Sequence, residues 1–213
     1  MKDAQCTAIY GRRGSGKSTL AKRLIGKHRR VVVFDPMGEY AALSIFRRAD
    51  SVEEVRRLLR AGWARGFKIA YVPRADHKRS LHILACLIWD AQAPYDAGQD
   101  TRKILLVVEE MNLGYPASKL PSDLYGMTQV VLQGRHRGVG VIGITQRPAL
   151  VSLDFRGQVA ETYVLPLSAG QDTTAVTDVY GREHQAQIRS LKPHNWLRFH
   201  DGGASAGRNP KPR

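Results

Sequence analysis

Short apolar segments rich in Val and Ile alternate along this chain with longer segments in which apolar residues recur every three to four positions. The short segments predict buried strands, and the longer period predicts helices. Strands are predicted at 6–10, 31–35, 67–72, 104–108, 139–145 and 162–167. Helices are predicted at 17–27, 52–65, 81–91, 124–135, 173–180 and 183–190. This alternation predicts an α/β fold with a mostly parallel sheet and helices on both faces.

The segments between these elements carry turn-forming residues. Segments 93–102 and 114–122 contain Pro, Gly, Asp and Ser, so we expect surface loops there. Ser51 followed by Glu54 predicts a capping box at the start of a helix. Residues 202–213 contain few apolar side chains, which predicts that they do not fold. We therefore expect one domain over 1–200 and a flexible basic tail over 201–213.

The chain is strongly basic, with 33 Lys and Arg against 19 Asp and Glu and a formal net charge of +14. This excess favours a polyanionic partner such as nucleic acid, although a generally basic surface without a specific ligand gives the same charge. No apolar segment approaches the roughly 20 residues that span a bilayer, and the N-terminus lacks the pattern of a secretory signal. We expect a cytoplasmic protein in which Cys6 and Cys86 are buried, reduced thiols.

A phosphate-binding loop is predicted directly after the first strand. Its residues fit the pattern G-x-x-x-x-G-K-[ST] and run Gly11-Arg12-Arg13-Gly14-Ser15-Gly16-Lys17-Ser18, with Thr19 following in the first helix. The glycines allow successive N–H groups to point at phosphate oxygens, and the helix N-terminus adds a positive dipole. Lys17 is expected to reach the β- and γ-phosphates and Ser18 to bind Mg²⁺. The loop therefore predicts a site for ATP and magnesium.

Two adjacent carboxylates, Glu109 and Glu110, end the apolar strand predicted at 104–108. Adjacent side chains at a strand end point to different sides, so one can face a metal while the other faces the attacking water. We assign Glu109 to Mg²⁺ and Glu110 to polarising water. The reverse order, or a solvated acidic turn without either role, fits the same residues.

A polar amide and a basic cluster flank the strand predicted at 139–145. Gln146 follows this strand, where a side chain can contact a phosphate or the lytic water, or only cap a loop. Arg135 and Arg137 precede it, and one of them is a candidate for stabilising transition-state charge across a subunit boundary. The alternative is that this cluster only pairs with a helix dipole. Arg147 is the other candidate for an arginine acting in trans.

Four segments, 11–19, 33–40, 107–110 and 137–148, together resemble the FtsK/HerA superfamily of DNA-translocating ATPases. The similarity extends over most of 6–199 and includes a strand at 196–199. The short length is similar to that of the minimal viral genome-packaging ATPases of membrane-containing icosahedral viruses. This resemblance implies a RecA-like ASCE core, in which the strand before Gln146 lies between the phosphate-loop strand and the strand before Glu109.

The resemblance also implies a function and a set of roles. It implies a homo-oligomeric ring that moves DNA without regard to sequence and hydrolyses ATP at subunit interfaces. It implies that Glu110 is the catalytic carboxylate, Gln146 the polar sensor, and Arg135 or Arg137 the arginine acting in trans. A viral member would work in the host cytoplasm, docked on a capsid or virion vertex protein, without inserting in a membrane. The family usually carries Asp where this chain has Glu109, so the longer side chain is expected to shift the metal or hold it through water.

Two other functions fit the same residues. A filamentous-phage assembly or secretion ATPase belongs to the same superfamily but normally acts at a membrane. A small-molecule kinase has a similar length but needs a phosphoacceptor pocket and an Arg-rich lid. Paired Glu residues followed by a strand that ends in Gln suit water activation better than transfer to an acceptor. The sequence therefore favours a DNA-translocating ATPase.

Overall fold

The computed structural model describes residues 4–201 and 203–210. The strands are β1 Cys6–Tyr10, β2 Arg30–Phe34, β3 Arg47–Ala49, β4 Phe67–Tyr71, β5 Ile104–Val108, β6 Val139–Thr145, β7 Val159–Val164, β8 Asn195–His200 and β9 Gly203–Arg208. Across the described residues these nine strands form one sheet in the order β3-β4-β2-β5-β6-β1-β7-β8-β9. The pairings from β3 to β7 are parallel, whereas β8 and β9 add to one edge in antiparallel fashion. The predicted α/β class is confirmed, and β6 lies between β1 and β5 as the resemblance implies.

Helices cover the sheet and connect most of its parallel strands. They are α1 Lys17–Ile25, α2 Val52–Gly62, α3 His77–Ala91, α4 Ala93–Asp96, α5 Met111–Gly114, α6 Gly126–Gln133, α7 Leu153–Gln158, α8 Gly170–Tyr180 and α9 Gln185–Arg189. Short 3-10 turns lie at Gly134–Arg137, Pro148–Leu150 and Arg182–His184. No helix within 4–201 or 203–210 is long and apolar enough to cross a membrane.

Both faces of the sheet are buried at its central strands. Successive side chains of a strand point to opposite faces, so they enter different apolar clusters. Along β2, Val32 and Phe34 enter one apolar cluster, whereas Val31 and Val33 enter the other. A strand buried in this way has an unbroken apolar sequence rather than an alternating one, which is what made β2, β5 and β6 recognisable. The ends of these strands are held rigidly as a result.

Local signals account for the start of α2. The Ser51 hydroxyl accepts a hydrogen bond from the N–H of Glu54 at 3.2 Å, as the predicted capping box requires. The Glu54 carboxylate returns to the N–H of Asp50 at 2.7 Å, one residue earlier than the usual reciprocal bond. Both interactions satisfy donors that a helix N-terminus leaves free.

The cysteine prediction holds for one residue only. Cys6 is buried in the core, and burial raises the pKa of its thiol to about 12. Cys86 is only half-buried, with its sulfur 3.8 Å from both ring nitrogens of His82. Both cysteines are free thiols.

The chain beyond residue 200 needs a correction. Residues 203–208 form β9, which pairs with β8 in register from Asn195 opposite Arg208 to His200 opposite Gly203. Gly207 lies opposite Trp196, where an added Cβ would overlap the indole ring. The small residues that made this segment resemble a tail therefore allow the Trp196 ring to lie across the strand. Residues 202 and 211–213 of the predicted tail lie outside the described residues.

Candidate functional site

The phosphate-binding loop joins β1 to α1 at the carboxyl edge of the parallel strands. Gly14 and Gly16 have φ angles of 72° and 100°, a region that glycine adopts without the Cβ penalty of other residues. The N–H of Gly11 donates to the carbonyl of Thr145 at 3.2 Å, which ties the loop to the end of β6. The loop is therefore ordered against the strand that precedes Gln146.

One cavity of about 530 Å³ brings most of the predicted chemical groups together. It is lined by Arg13, Gly14, Lys17, Ser18, Asp35, Met37, Glu39, Glu109, Glu110, Leu113 and Gln146. The other residues of the predicted loop complete its turn and the first turn of α1, namely Gly11, Arg12, Ser15, Gly16 and Thr19. A cavity of this size suits a ligand as large as a nucleotide.

Lys17 lies at the centre of the charged groups. Its ammonium donates to the carbonyl of Arg12 at 3.2 Å, and the residue is only 9% exposed. Burial lowers the pKa of Lys17, and the carboxylates of Glu110, Glu109 and Glu39 oppose this shift. The ammonium is thus held in the cavity by a backbone carbonyl and by the field of three acids.

Glu109 faces the β2 side of the cavity and is nearly buried. The hydroxyl of Tyr40 donates to its Oε1 at 3.0 Å. Burial raises the pKa of Glu109 to about 7, although the Tyr40 hydroxyl and the Lys17 ammonium both act in the opposite direction. A carboxylate with this pKa is poorly solvated and is stabilised by any cation that enters the cavity.

Glu110 turns toward the β6 side instead. Its backbone has φ 45° and ψ 52°, a left-handed conformation that is strained in a residue with a side chain. The side-chain amide of Gln146 donates to Oε1 of Glu110 at 2.7 Å. β5 lies between β2 and β6, and the two carboxylates have different hydrogen-bond partners, Tyr40 after β2 and Gln146 after β6.

The segment after β2 adds residues that the motif reasoning did not assign. Asp35 is fully buried, and its carboxylate accepts from the N–H groups of Glu39, Tyr40 and Ala41 at 3.0, 2.9 and 2.8 Å. This cap places the Tyr40 hydroxyl on Glu109 and the Glu39 carboxylate beside Ser18. Ser18 donates to Glu39 at 3.3 Å. The available signal was an Asp at the end of a buried strand, which resembles the two Glu residues that end β5.

The oxygen donors of the cavity fit a magnesium ion. The Ser18 hydroxyl and the carboxylates of Glu39 and Glu109 are hard oxygen ligands of the kind that Mg²⁺ prefers. No cluster of three or more His, Cys, Asp or Glu residues suited to hold a metal occurs in the part of the chain that is described. Few protein ligands are expected where magnesium keeps several waters and binds substrate phosphates.

Neither predicted arginine of the 134–137 turn lines the cavity. This turn precedes β6 and so lies at the amino edge of the parallel strands, opposite the phosphate loop. Arg137 stacks on the ring of Trp89 at 4.1 Å and pairs with Asp96 at 3.0 Å. Arg135 is exposed and contacts His136, the next residue along the chain. An arginine of this turn could therefore act only at the cavity of a neighbouring subunit.

Arg147, the other candidate, has a partner of its own. Its guanidinium pairs with Asp172 at 2.9 Å, and that carboxylate is 1% exposed. Asp172 also accepts from the N–H of Ala149 at 3.1 Å. This pair fixes the segment that follows Gln146 to the start of α8.

Comparison with known proteins agrees with this geometry. Residues 4–84 match the family described as "Helicase HerA, central domain". This stretch contains the phosphate loop and the capped segment after β2. The resemblance to the FtsK/HerA superfamily is confirmed. No curated protein matches the chain.

Solved structures share this fold over nearly the whole chain. The genome packaging NTPase B204 from Sulfolobus turreted icosahedral virus 2, in complex with AMPPCP, is 16% identical with a TM-score of 0.73, over 99% of this chain and 100% of that chain. VirB4 of Thermoanaerobacter pseudethanolicus is 11% identical with a TM-score of 0.67, over 97% and 89%. The N-terminal domain of zonular occludens toxin from Neisseria meningitidis is 15% identical with a TM-score of 0.51, over 98% and 96%. Together with the family match, this fold supports an ATP-hydrolysing enzyme.

Proposed function

We propose that this protein is an ATP-driven DNA translocase that packages a viral or phage genome and hydrolyses ATP at the subunit interfaces of a ring. The observation that carries the ATPase part is the shared cavity of Lys17, Ser18, Glu109, Glu110 and Gln146. Its two acids have separate partners, Tyr40 and Gln146, and so separate environments. Because their environments differ, one acid can bind a metal ion while the other polarises the attacking water.

Each side chain has a defined part in this proposal. Lys17 binds the β- and γ-phosphates, and Ser18 with Glu109 holds Mg²⁺, which supplies neutralisation of phosphate charge when it is bound. Glu110 orients the attacking water and accepts its proton, because a carboxylate is an acceptor that water can reach at this edge of the sheet. Gln146 fixes the rotamer of Glu110 through their 2.7 Å hydrogen bond. Loss of the γ-phosphate would then be sensed at the end of β6.

DNA as the partner is supported by two observations. The net charge of +14 provides an electrostatic attraction to phosphates that needs no base contacts. The solved structure with a TM-score of 0.73 is described as a genome packaging NTPase. A motor that must pass every sequence requires backbone contacts rather than base recognition.

Hydrolysis by purified protein, with and without double- or single-stranded DNA of mixed sequence, tests this proposal. We expect DNA to stimulate phosphate release by wild-type protein and to leave the Glu110→Gln variant inactive. DNA affinity should fall with salt with a log-log slope that steepens by about 0.9 for each neutralised duplex phosphate. Hydrolysis that no DNA stimulates, or phosphate transfer to a small acceptor instead of water, would overturn the assignment.

A further inference from the structure

The phosphate loop has a second set of contacts on the β7 side of β1, away from Glu109 and Glu110. They come from a segment that we call the strap, which consists of His194, β8, β9 and Asn209. The N–H of His194 donates to the carbonyl of Ser15 at 2.8 Å. The side-chain amide of Asn209 donates to the carbonyl of Gly16 at 2.9 Å. Asn209 also donates its own N–H to the carbonyl of His194 at 2.8 Å, which closes the open end of the hairpin.

The contact between strap and loop is close and buried. A Cβ added at Gly16 would lie 2.8 Å from Nδ1 of His194 and 2.9 Å from Nδ2 of Asn209. Asn209 is 2% exposed although it follows an edge strand whose other residues face solvent. His194 has φ 68°, an uncommon conformation that turns the chain toward the loop. The loop and the strap therefore fit each other without room for an intervening side chain.

These two carbonyl contacts orient two successive peptide groups. A peptide group is planar, and its C=O and N–H point in opposite directions. Holding the carbonyl of Ser15 toward the strap directs the N–H of Gly16 away from it, and holding the carbonyl of Gly16 does the same for the N–H of Lys17. The N–H groups at the start of a helix have no partner within the helix and bind anions. The strap thus acts on the donors that face a phosphate.

From these contacts we infer that the strap sets the geometry of the phosphate loop, with Asn209 as a positioning residue that holds the peptide group between Gly16 and Lys17 in its phosphate-binding orientation. This inference rests on the proposed nucleotide site. It adds that nucleotide binding and ordering of the strap are coupled. If the ordered strap raises the affinity for nucleotide, bound nucleotide must favour the ordered strap by the same factor. The side chain of Asn209 donates to a backbone carbonyl of the loop, so it acts through the loop and not on the reacting atoms.

Substitution of Asn209 by Leu tests the inference because Leu keeps the size and branching of the side chain and removes the donor. The N–H groups of the loop bind phosphate in the ground state and the transition state alike, so we expect KM for ATP to rise roughly 3- to 10-fold while kcat stays within about twofold. Affinity for a non-hydrolysable ATP analogue with Mg²⁺ should fall by the same factor. Ser205→Ala, an exposed position in the same strand, is the matched control and should change neither quantity.

Hydrogen exchange of the wild-type protein gives a second measurement that needs no variant. The analogue should slow exchange of the amide hydrogens of His194 and Asn209, and leave unchanged those of α2, which packs against β3, β4 and α3. Wild-type protein that fails to bind the analogue would refute the proposed nucleotide site. Binding by wild type together with unchanged affinity in Asn209→Leu, or with no slowing at His194 and Asn209, would overturn the strap alone. If Asn209→Leu fails to fold, the exchange measurement decides the question.

Discussion

The phosphate loop is held from two sides that differ in origin. On one side lie the ends of β5 and β6, which are central, parallel and buried on both faces. On the other lies the strap, which is antiparallel and at the edge of the sheet, and whose outer strand β9 consists largely of small exposed residues. The first side places the side chains to which we assign the chemistry, Glu109, Glu110 and Gln146, whereas the second contributes hydrogen bonds to the backbone of the loop. The comparison shows that a sequence motif can mark the residues assigned to the reaction. The residues that orient the loop, such as Asn209, belong to no recognisable motif.

The largest loss of turnover is expected from substitutions of the charged groups in the cavity. Lys17→Ala removes the ammonium that binds phosphates, and Glu110→Gln removes the acceptor for the proton of water, so both should abolish measurable turnover. Binding should separate them, because Lys17→Ala weakens ATP affinity and Glu110→Gln retains ATP unhydrolysed. Filter binding of labelled ATP and phosphate release measure the two quantities. Wild-type hydrolysis by Glu110→Gln would refute the role of this carboxylate.

Sequence predicted the central strands beside the loop well, but of the strap it predicted only β8, as the strand at 196–199 that the family resemblance includes. β1, β5 and β6 have the predicted bounds, because a buried parallel strand is continuously apolar and each of these ends at a polar residue or a glycine. β9 has the sequence Gly-Ala-Ser-Ala-Gly-Arg, which carries no apolar period. It is a strand because β8 supplies a backbone partner and Trp196 requires a glycine opposite it. Pairing with β8 and packing against Trp196 are tertiary interactions, so the sequence of β9 itself contains no local signal for a strand.

The same limit applies within the site. Motifs and strand ends were enough to predict five residues of the site, and the structure brings all five to one cavity. They are Lys17, Ser18, Glu109, Glu110 and Gln146. The capping of residues 39–41 by Asp35 was not predicted, because it depends on how the chain turns after β2. The roles of all these residues in hydrolysis stay predictions until variants are measured.

A subunit mixing experiment extends the comparison to a neighbouring molecule. Arg135→Ala should reduce hydrolysis by roughly 10³-fold or more and spare ATP binding, since an arginine supplied in trans stabilises only the transition state. Rings mixed from Arg135→Ala and Lys17→Ala subunits should regain activity at interfaces that pair an intact loop with an intact arginine. Mixed rings that form but do not hydrolyse ATP would contradict the assignment.

Arg137→Ala is the matched control for that experiment. Its guanidinium already stacks on Trp89 and pairs with Asp96, so its loss should lower thermal stability by about 1 kcal/mol and reduce hydrolysis far less. Normal stability with strongly reduced hydrolysis in Arg137→Ala would instead assign the role in trans to Arg137. Thermal denaturation and hydrolysis of the two single variants, measured side by side, distinguish the arginines.

A smaller effect is expected from the buried acid on the β2 side. Glu109 has a pKa of about 7 in the folded protein against 4.5 for an ordinary Glu, so the folded state binds more protons than the unfolded state across this window. The free energy of unfolding therefore falls as pH rises through it. Without nucleotide and Mg²⁺, Glu109→Gln should stabilise the protein by on the order of 2 kcal/mol at about pH 8 and by little at about pH 4.5. Denaturant titration at both pH values measures this, and equal changes at both would show that burial of the charge is not the cause.

The smallest effect on ATP binding is expected from Gly207, which lies in the strap two residues before Asn209 and opposite Trp196. Gly207→Ala places a methyl group against the Trp196 ring, which also lies edge-on to Tyr163 at 5.3 Å. The ring must move, so we expect a loss of about 1–3 kcal/mol and a lower Tm by a few degrees. Near-ultraviolet circular dichroism follows the indole, and ATP affinity should drop less than in Asn209→Leu. A larger drop would show that the packing of β9 on Trp196, and not the Asn209 hydrogen bond alone, orients the loop.

The bond between Asn209 and Gly16 joins positions that are 193 residues apart. Contacts of such separation form late, because the intervening chain must first be ordered. On the ribosome, every catalytic side chain emerges and can pack before Asn209 has been translated. A product that stops at Arg208 would hold all of the reacting groups but would lack the last anchor of its phosphate loop. ATP in the cell would then stabilise molecules that contain Asn209 more than such fragments, so the ligand itself would favour proteolysis of the fragments.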